Sequence, residues 1–315
     1  MSGKSRFRQL SFTRTWSKRA IHAIWKQQRE FLNNISIELI NRLPIGLREI
    51  YQKMNSAATA TDCDYLVVGA MARDLILVHG FGAKIERGTR DVDFGINVES
   101  WSVFSSLKQY LVGMGFTADK REFQKLHYLG SDNLPWEIDV IPFGFVEKAE
   151  SLISWPPEYN KNMSVLGFEE ASTSSIKVVI SKDPEIIVPV ASPVGMCLLK
   201  LVAWLDRPEE RRPKDAIDIK YLIETFSKIP AVNDELYAQG YMAKQDFDET
   251  KASAMKLGHD VGMLASHNTK QYLEKNLFSR QEVIESLARE MSGKKQYALA
   301  ESYEFIQILI EAARP

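Results

Sequence analysis

The stretch RGTRDVDFGI, residues 87–96, places Asp91 and Asp93 two apart in an otherwise apolar, strand-like run. In an extended strand, residues i and i+2 share a face, so the two carboxylates stand side by side. Such a pair is costly unless something positive lies between them. A chain that keeps it needs a sheet to hold both residues and a cation to relieve them. The neighbouring sequence supplies the sheet. CDYLVVGA (63–70) reads as a buried strand ending in glycine, and AMARDLILVHGFG (70–82) as a helix that stops at two glycines. TRDVDFGINV (89–98) is a strand and ESWSVFSSLKQYLVGMG (99–115) an amphipathic helix. WEIDVIPFG (136–144) is a further strand, alternating Trp136, Ile138 and Val140 against Glu137, Asp139 and Ile141. This strand–helix rhythm with short connections predicts a mixed sheet with helices against it.

The rest of the chain divides around that unit. SIKVVI and EIIVPV (175–180 and 185–190) read as a strand pair, and after SPVG (192–195) the sequence turns helical to its end. Helices are expected from VGMCLLKLVAWLD, over 213–226 with proline in the first turn, and near 232–241, 246–265 and 280–312. Residues 15–56 read as helical with a break near LPIG (43–46). The expected class is α/β (α+β): a small mixed sheet with flanking helices plus a C-terminal helical domain. The expected domains are a basic helical extension over 1–60, a catalytic unit over 61–190 and the helical domain over 191–315.

Composition narrows the function. The 315 residues are 45% hydrophobic and 26% charged, as in ordinary globular proteins. No apolar run approaches the roughly 20 residues of a membrane span, so no membrane association is expected. No secretory core stands at the start, and the two cysteines, Cys63 and Cys197, form no framework; a cytoplasmic protein is the expectation. The net charge of −1 is uneven: residues 1–29 hold eight Lys/Arg and no acid, leaving 32 basic and 41 acidic residues beyond them. A basic arm on an acidic body points to an anionic partner such as nucleic acid, or to a solvated helix face. Trp16, Ile21, Ile24, Trp25 and Phe31 follow the stripe of a docked helix.

The chemistry gathers on Asp91, Asp93 and Asp139. If their strands are neighbours, three carboxylates converge at one sheet edge without His or Cys. That hard oxygen set suits Mg²⁺ or Mn²⁺, completed by substrate phosphates, and not zinc. A phosphate cradle lies upstream, where Gly69 ends a strand and opens a helix whose backbone N–H groups attract anions. Arg73, one turn further, is expected to add a charge-assisted contact. Lys200, Trp204 and Arg207 fall at i, i+4 and i+7 of one helix, either as a site for triphosphate and base or as a core tryptophan with solvated flanks. Asp215 and Asp218, three apart, read as one residue that orients Lys200 or Arg207 and one that is surface. The five histidines form no cluster and read as structural.

VVGAMARDLIL, RGTRDVDFGI and WEIDVIPFG resemble the three motifs of the DNA polymerase beta-like nucleotidyltransferase superfamily. The first also resembles the Gly-Gly-x-x-Arg-Asp start of CCA-adding enzymes. The closer similarity is to the AbiEii/AbiGii-type nucleotidyltransferase toxins, in which a Lys and a Lys/Arg-Asp-x-x-Asp motif follow on helices. LLKLVAWLDR supplies Lys200 and Arg207, and RRPKDAIDI supplies Lys214, Asp215 and Asp218. The similarity runs from about residue 63 to 225, with a weaker stretch at KLGHDVGML (256–264), and leaves residues 1–60 uncovered. One departure is Gly69-Ala70, where the superfamily carries Gly-Ser or Gly-Gly; Ala70 keeps its backbone N–H and lacks the hydroxyl.

The resemblance implies transfer of NMP from an NTP to an acceptor hydroxyl, with Mg²⁺ (or Mn²⁺) on Asp91, Asp93 and Asp139. It implies Lys200 in catalysis, and nucleotide contacts from Gly69, Ala70, Arg73, Lys200, Arg207, Asp215 and Asp218. RNA, and tRNA before other RNA, is the first expected acceptor, in a toxin with a cognate antitoxin. Protein or small-molecule modification comes next. A degenerate nucleotide-binding module without catalysis is the reading that Ala70 favours and the intact aspartates oppose.

Overall fold

A computed structural model describes residues 36–85, 88–293 and 298–314. Among these described residues ten strands run in chain order: β1 (Ser36–Glu38), β2 (Asp64–Val68), β3 (Asp91–Val98), β4 (Thr117–Ala118), β5 (Lys125–Leu129), β6 (Pro135–Gly144), β7 (Leu152–Ser154), β8 (Asn162–Ser164), β9 (Ile176–Lys182) and β10 (Glu185–Val190). Eight form one mixed sheet in the order β1-β9-β10-β2-β3-β6-β5-β4, and β7 and β8 pair as a separate hairpin. The central strands are those whose sequence is most apolar. Tyr65 to Val68 are all buried, as a strand covered on both faces requires. In β6, Trp136, Ile138 and Val140 are buried while Glu137 and Asp139 turn the other way.

The strand expectations at 63–70, 89–98, 136–144 and the 175–190 pair hold. The sheet is larger than the small one expected, because β1, β4 and β5 add to it. The helical reading of 15–56 is corrected at Ser36–Glu38, an edge strand parallel to β9; the part before residue 36 lies outside the described residues. β1 and the helix α1 (Ile45–Thr61) pack on the sheet through Ile37, Leu47, Ile50, Tyr51 and Met54, all buried.

Helix α2 opens at Gly69–Arg73 and runs on in wider, π-type turns over Asp74–Gly80. α3 (Trp101–Gly113) and α4 (Phe168–Thr173) complete the helices of the sheet unit. Among the described residues the elements after β10 are all helices: α5 (Pro193–Asp206), α6 (Arg212–Thr225), α7 (Pro230–Ala238), α8 (Tyr241–Lys244), α9 (Glu249–Leu264), α10 (His267–Leu273), α11 (Gln281–Ser292) and α12 (Leu299–Ala313), with short 3-10 and π turns between some of them. The start of α5 is fixed twice. Pro193 occupies its first turn, and the Ser192 hydroxyl accepts a hydrogen bond from the Gly195 N–H. The single helix expected over 280–312 is two: α11 ends at Gly293 with φ +57°, a backbone that favours glycine. Helix α12 lies hard against α9. A Cβ at Gly258 or Gly262 would overlap the carbonyls of Leu309 and Ala313, so both glycines are needed for that approach. No helix among the described residues is long and apolar enough to cross a membrane.

Candidate active site

Strand register assembles the acidic side of the site. β2 lies antiparallel to β3, with Val68 opposite Asp93. β3 lies parallel to β6, with Asp91 beside Glu137 and Asp93 beside Asp139. Asp91, Asp93 and Asp139 therefore occupy neighbouring strands on one face, and all three line a cleft of about 670 Å³. Gly69 follows β2 directly and adopts φ +71°. A Cβ there would occupy the position of the Asp93 carboxylate. Gly69→Ala should thus combine backbone strain of about 1–3 kcal/mol with displacement of Asp93. A lowered melting temperature together with lost transfer is the expected outcome, and an unchanged melt with full activity would contradict it.

The carboxylates are under electrostatic stress. Burial pushes the Asp93 carboxyl up to about 6, the neighbouring Asp139 carboxylate adds to the rise, and the Lys200 ammonium opposes it. Burial also raises Asp139, with Lys125 pulling the other way. One buried oxygen of Asp139, Oδ1, has no hydrogen-bond partner. Crowded acids and an orphaned oxygen are both relieved by a hard divalent cation, so the donor set fits Mg²⁺ or Mn²⁺. Among the described residues, no three His, Cys, Asp or Glu side chains form a ready-made cage. The open set at the cleft suits an ion that brings phosphate and water ligands of its own.

The opposite wall carries the cations. Lys200 on α5 donates to Asp215 Oδ1 at 2.8 Å and meets Asp218 Oδ2 at 2.7 Å. Arg207, just past the end of α5, reaches Asp215 Oδ2 at 2.6 Å. Asp215 is fully buried, and its two oxygens hold two cations at the cleft. Among the described residues six cations line the cleft: Arg90, Lys125, Lys200, Arg207, Arg211 and Lys214. A larger hollow of about 890 Å³ opens at the other end of β2, around Asp62, Cys63, Asp64 and Glu185. Among the described residues no lysine or arginine lines it.

The structure changes the reading of Arg73 and of the Asp215/Asp218 pair, and it decides between the two readings of Trp204. Arg73 does not reach the cleft: it is buried, bonded to Asp74 and to Asp218, and packed on the Tyr221 ring. Its place four residues after Gly69, whose φ is +71°, carries it inward, toward α6. Trp204 is core, not a base platform; its Nε1–H donates to Glu290 at 2.7 Å and Arg212 stacks on it. Asp218 is not surface but buried between Lys200 and Arg73. Asp215 and Asp218 meet the cations of the site, and only Asp215 lines the cleft. The structure brings the other predicted residues together: Gly69, Ala70, Asp91, Asp93, Asp139, Lys200 and Arg207 all line the cleft.

Sequence reading passed over Lys125. It projects from β5 opposite Asp139 in register and binds Glu137 at 2.7 Å. Asn162 and Ser164 of the β7–β8 hairpin also line the cleft. The signal for Lys125 was its place in KLHYL, a five-residue run that only pairing with β6 identifies as a strand.

The sequence profile of the AbiEii nucleotidyl transferase toxins of type IV toxin–antitoxin systems matches residues 56–298. The chain belongs to the AbiEii family. The match runs from the last turns of α1 to the residue before α12, and covers every residue that lines the cleft. Comparison with curated proteins finds no match. Solved structures similar to this AbiEii-family chain include an antigenic nucleotidyltransferase-like protein from Paracoccidioides brasiliensis, at 16% identity over 66% of this chain and 93% of that one, TM-score 0.39. A lincomycin-bound lincosamide antibiotic adenylyltransferase, LnuA, is 16% identical over 56% of this chain and 94% of that one, TM-score 0.33. The Thermotoga maritima CCA-adding enzyme complexed with tRNA is 12% identical over 87% and 80%, TM-score 0.25. The chain is a nucleotidyltransferase.

Proposed function

We propose that this nucleotidyltransferase moves NMP from a Mg²⁺-bound NTP to a hydroxyl of an RNA acceptor, tRNA before other RNA, as a toxin restrained by a cognate antitoxin. The observation that carries the reading is the cleft with Asp91, Asp93 and Asp139 on one wall and Lys200 and Arg207 on the other. Asp91, Asp93 and Asp139 would hold the divalent ion, which supplies charge neutralisation at the attacking and leaving oxygens. The backbone N–H groups after Gly69 receive phosphate oxygens at the opening of α2. Lys200 and Arg207 face the departing pyrophosphate and offset its growing charge. Asp139, with its unpartnered oxygen, stands where it can take the proton of the acceptor hydroxyl. Arg90, Lys125, Arg211 and Lys214 extend positive charge along the cleft, which favours a polyanionic acceptor. The basic residues 1–29 add to that charge in sequence and lie outside the described residues.

The deciding experiment incubates the full chain with each α-labelled NTP, Mg²⁺ and total RNA. Label on RNA that chelation abolishes supports the proposal. Label on protein or small molecules overturns the acceptor, and absence of transfer with every NTP favours the degenerate module that Ala70 suggests.

Asp139→Asn should separate binding from chemistry. The change is nearly isosteric and removes a charge and a proton acceptor, so Mg²⁺–NTP affinity should stay within about threefold while transfer is lost. Glu137 is exposed and already engaged by Lys125, so Glu137→Gln should cost less. Nucleotide titration beside single-turnover transfer checks both. Loss confined to Glu137→Gln would mean that the third ligand is Glu137.

A further inference from the structure

Arg73 lies four residues after Gly69 on α2, with 2% of its surface exposed. Its Nε and Nη2 bind Asp74 Oδ1 at 2.9 and 2.8 Å, and its Nη1 binds Asp218 Oδ1 at 2.6 Å. The guanidinium packs on the Tyr221 ring at 5.0 Å, and the Tyr221 hydroxyl donates to the Lys84 carbonyl. Asp218 gives its other oxygen to Lys200. An ammonium has three N–H donors. Asp215 and Asp218 each face one of those of Lys200, which leaves one for the cleft that Lys200 lines. The charges therefore alternate in an unbroken line from the cleft inward: Arg207, Asp215, Lys200, Asp218, Arg73, Asp74.

We infer that Arg73 is a positioning residue of the nucleotide site: it fixes the Asp218 carboxylate, which aims the Lys200 ammonium at the triphosphate. The inference rests on the nucleotidyltransferase reading of the cleft. Arg73 and Gly69 ride the same helix, so the clamp to α6 also holds the phosphate cradle and Lys200 in one relation. A planar, bidentate guanidinium suits this task, since it sets the angle of Asp218 as well as its charge. Supporting groups of this kind usually change ligand affinity by roughly 10- to 100-fold when altered.

A purely structural ion pair would affect stability and leave analogue binding by the folded protein unchanged. The test is a thermodynamic cycle in the full chain: wild type, Arg73→Lys, Lys200→Ala and the double variant. Each is titrated with Mg²⁺ and non-hydrolysable triphosphate analogues of all four nucleotides, and melted in parallel. Arg73→Lys should weaken analogue binding about tenfold in the wild-type background and not at all beyond Lys200→Ala. The melts report the structural cost of each change separately, and the binding cycle on folded protein decides. Asp218→Asn, nearly isosteric, should repeat the pattern and serves if Arg73→Lys does not fold. A tenfold loss that persists in the Lys200→Ala background overturns the inference and leaves the nucleotide reading standing. Wild-type protein that binds none of the four analogues overturns that reading, and the inference with it.

Discussion

Asp93→Asn is expected to abolish metal-dependent transfer and yet leave a protein that is more stable than wild type above pH 6 when no metal is present. Both effects have one origin. The carboxyl of Asp93 titrates near 3.8 when unperturbed and at about 6 in the fold, first because of burial and then because of Asp139. Between those values the folded state holds a proton that the unfolded state has lost. Stability is then fully present below about pH 4 and falls as pH rises through 6. A shift of about two units sets the loss on the order of 3 kcal/mol at most. Asparagine carries no charge to desolvate, so the variant should show a flatter profile across this range. Mg²⁺ should raise the wild-type melting temperature above pH 6 and leave that of Asp93→Asn unmoved. Melts from pH 4 to 8, with chelator and then with Mg²⁺, check the stability arm; label transfer to RNA checks the activity arm. A variant that keeps the wild-type pH slope would show that Asp93 is not the stressed group, and one that still transfers would remove it from the metal site.

The two halves of this site were unequally legible in the sequence. Asp91 and Asp93 declare themselves, because strand periodicity fixes their shared face and an apolar run fixes the strand. The place of Asp139 beside Asp93 needed the pairing of β3 with β6, yet the sequence narrowed it to one condition, that the strands be neighbours. The cationic wall was harder. Helical spacing puts Lys200, Trp204 and Arg207 on one face and so groups them, but spacing does not say which member turns into the core. The buried aromatic takes that direction, and α5 ends before Arg207, which frees Arg207 to turn back to Asp215. Arg73 misled for a related reason. A cation one turn past a glycine-bearing helix start looks like a phosphate ligand, whereas two buried carboxylates, one of them 145 residues away, draw it inward. Lys125 and β1 were missed because short edge or near-edge strands carry little periodicity of their own and owe their conformation to the neighbour they pair with.

Lys200→Met and Arg207→Ala should part in stability as well as in activity. Lys200 is 15% exposed and is shared by two carboxylates that are 0% and 3% exposed. Methionine fills most of its volume but removes the ammonium that Asp215 and Asp218 share. Removing the shared cation leaves two buried negative charges less compensated, at a cost of about 3–5 kcal/mol. In a chain of this length that corresponds to a fall in Tm of roughly 5–8 °C. Arg207 is 45% exposed, and water can replace it on Asp215. Its pair belongs with surface ion pairs, worth about 0–1 kcal/mol, so Tm should move by no more than a few degrees. For transfer, Lys200→Met removes the cation with the fixed direction, and a loss of one to two orders of magnitude, about 1.4–2.7 kcal/mol in the transition state, is expected. Arg207→Ala should lose less, since Lys200 and Asp215 keep their contact without it. Single-turnover transfer at saturating nucleotide, beside melts of both variants, tests the pair. If Arg207→Ala proves the more damaging to transfer while its Tm holds, the charge that meets the leaving pyrophosphate comes from the end of α5, and Lys200 serves mainly to hold Asp215 and Asp218 in place.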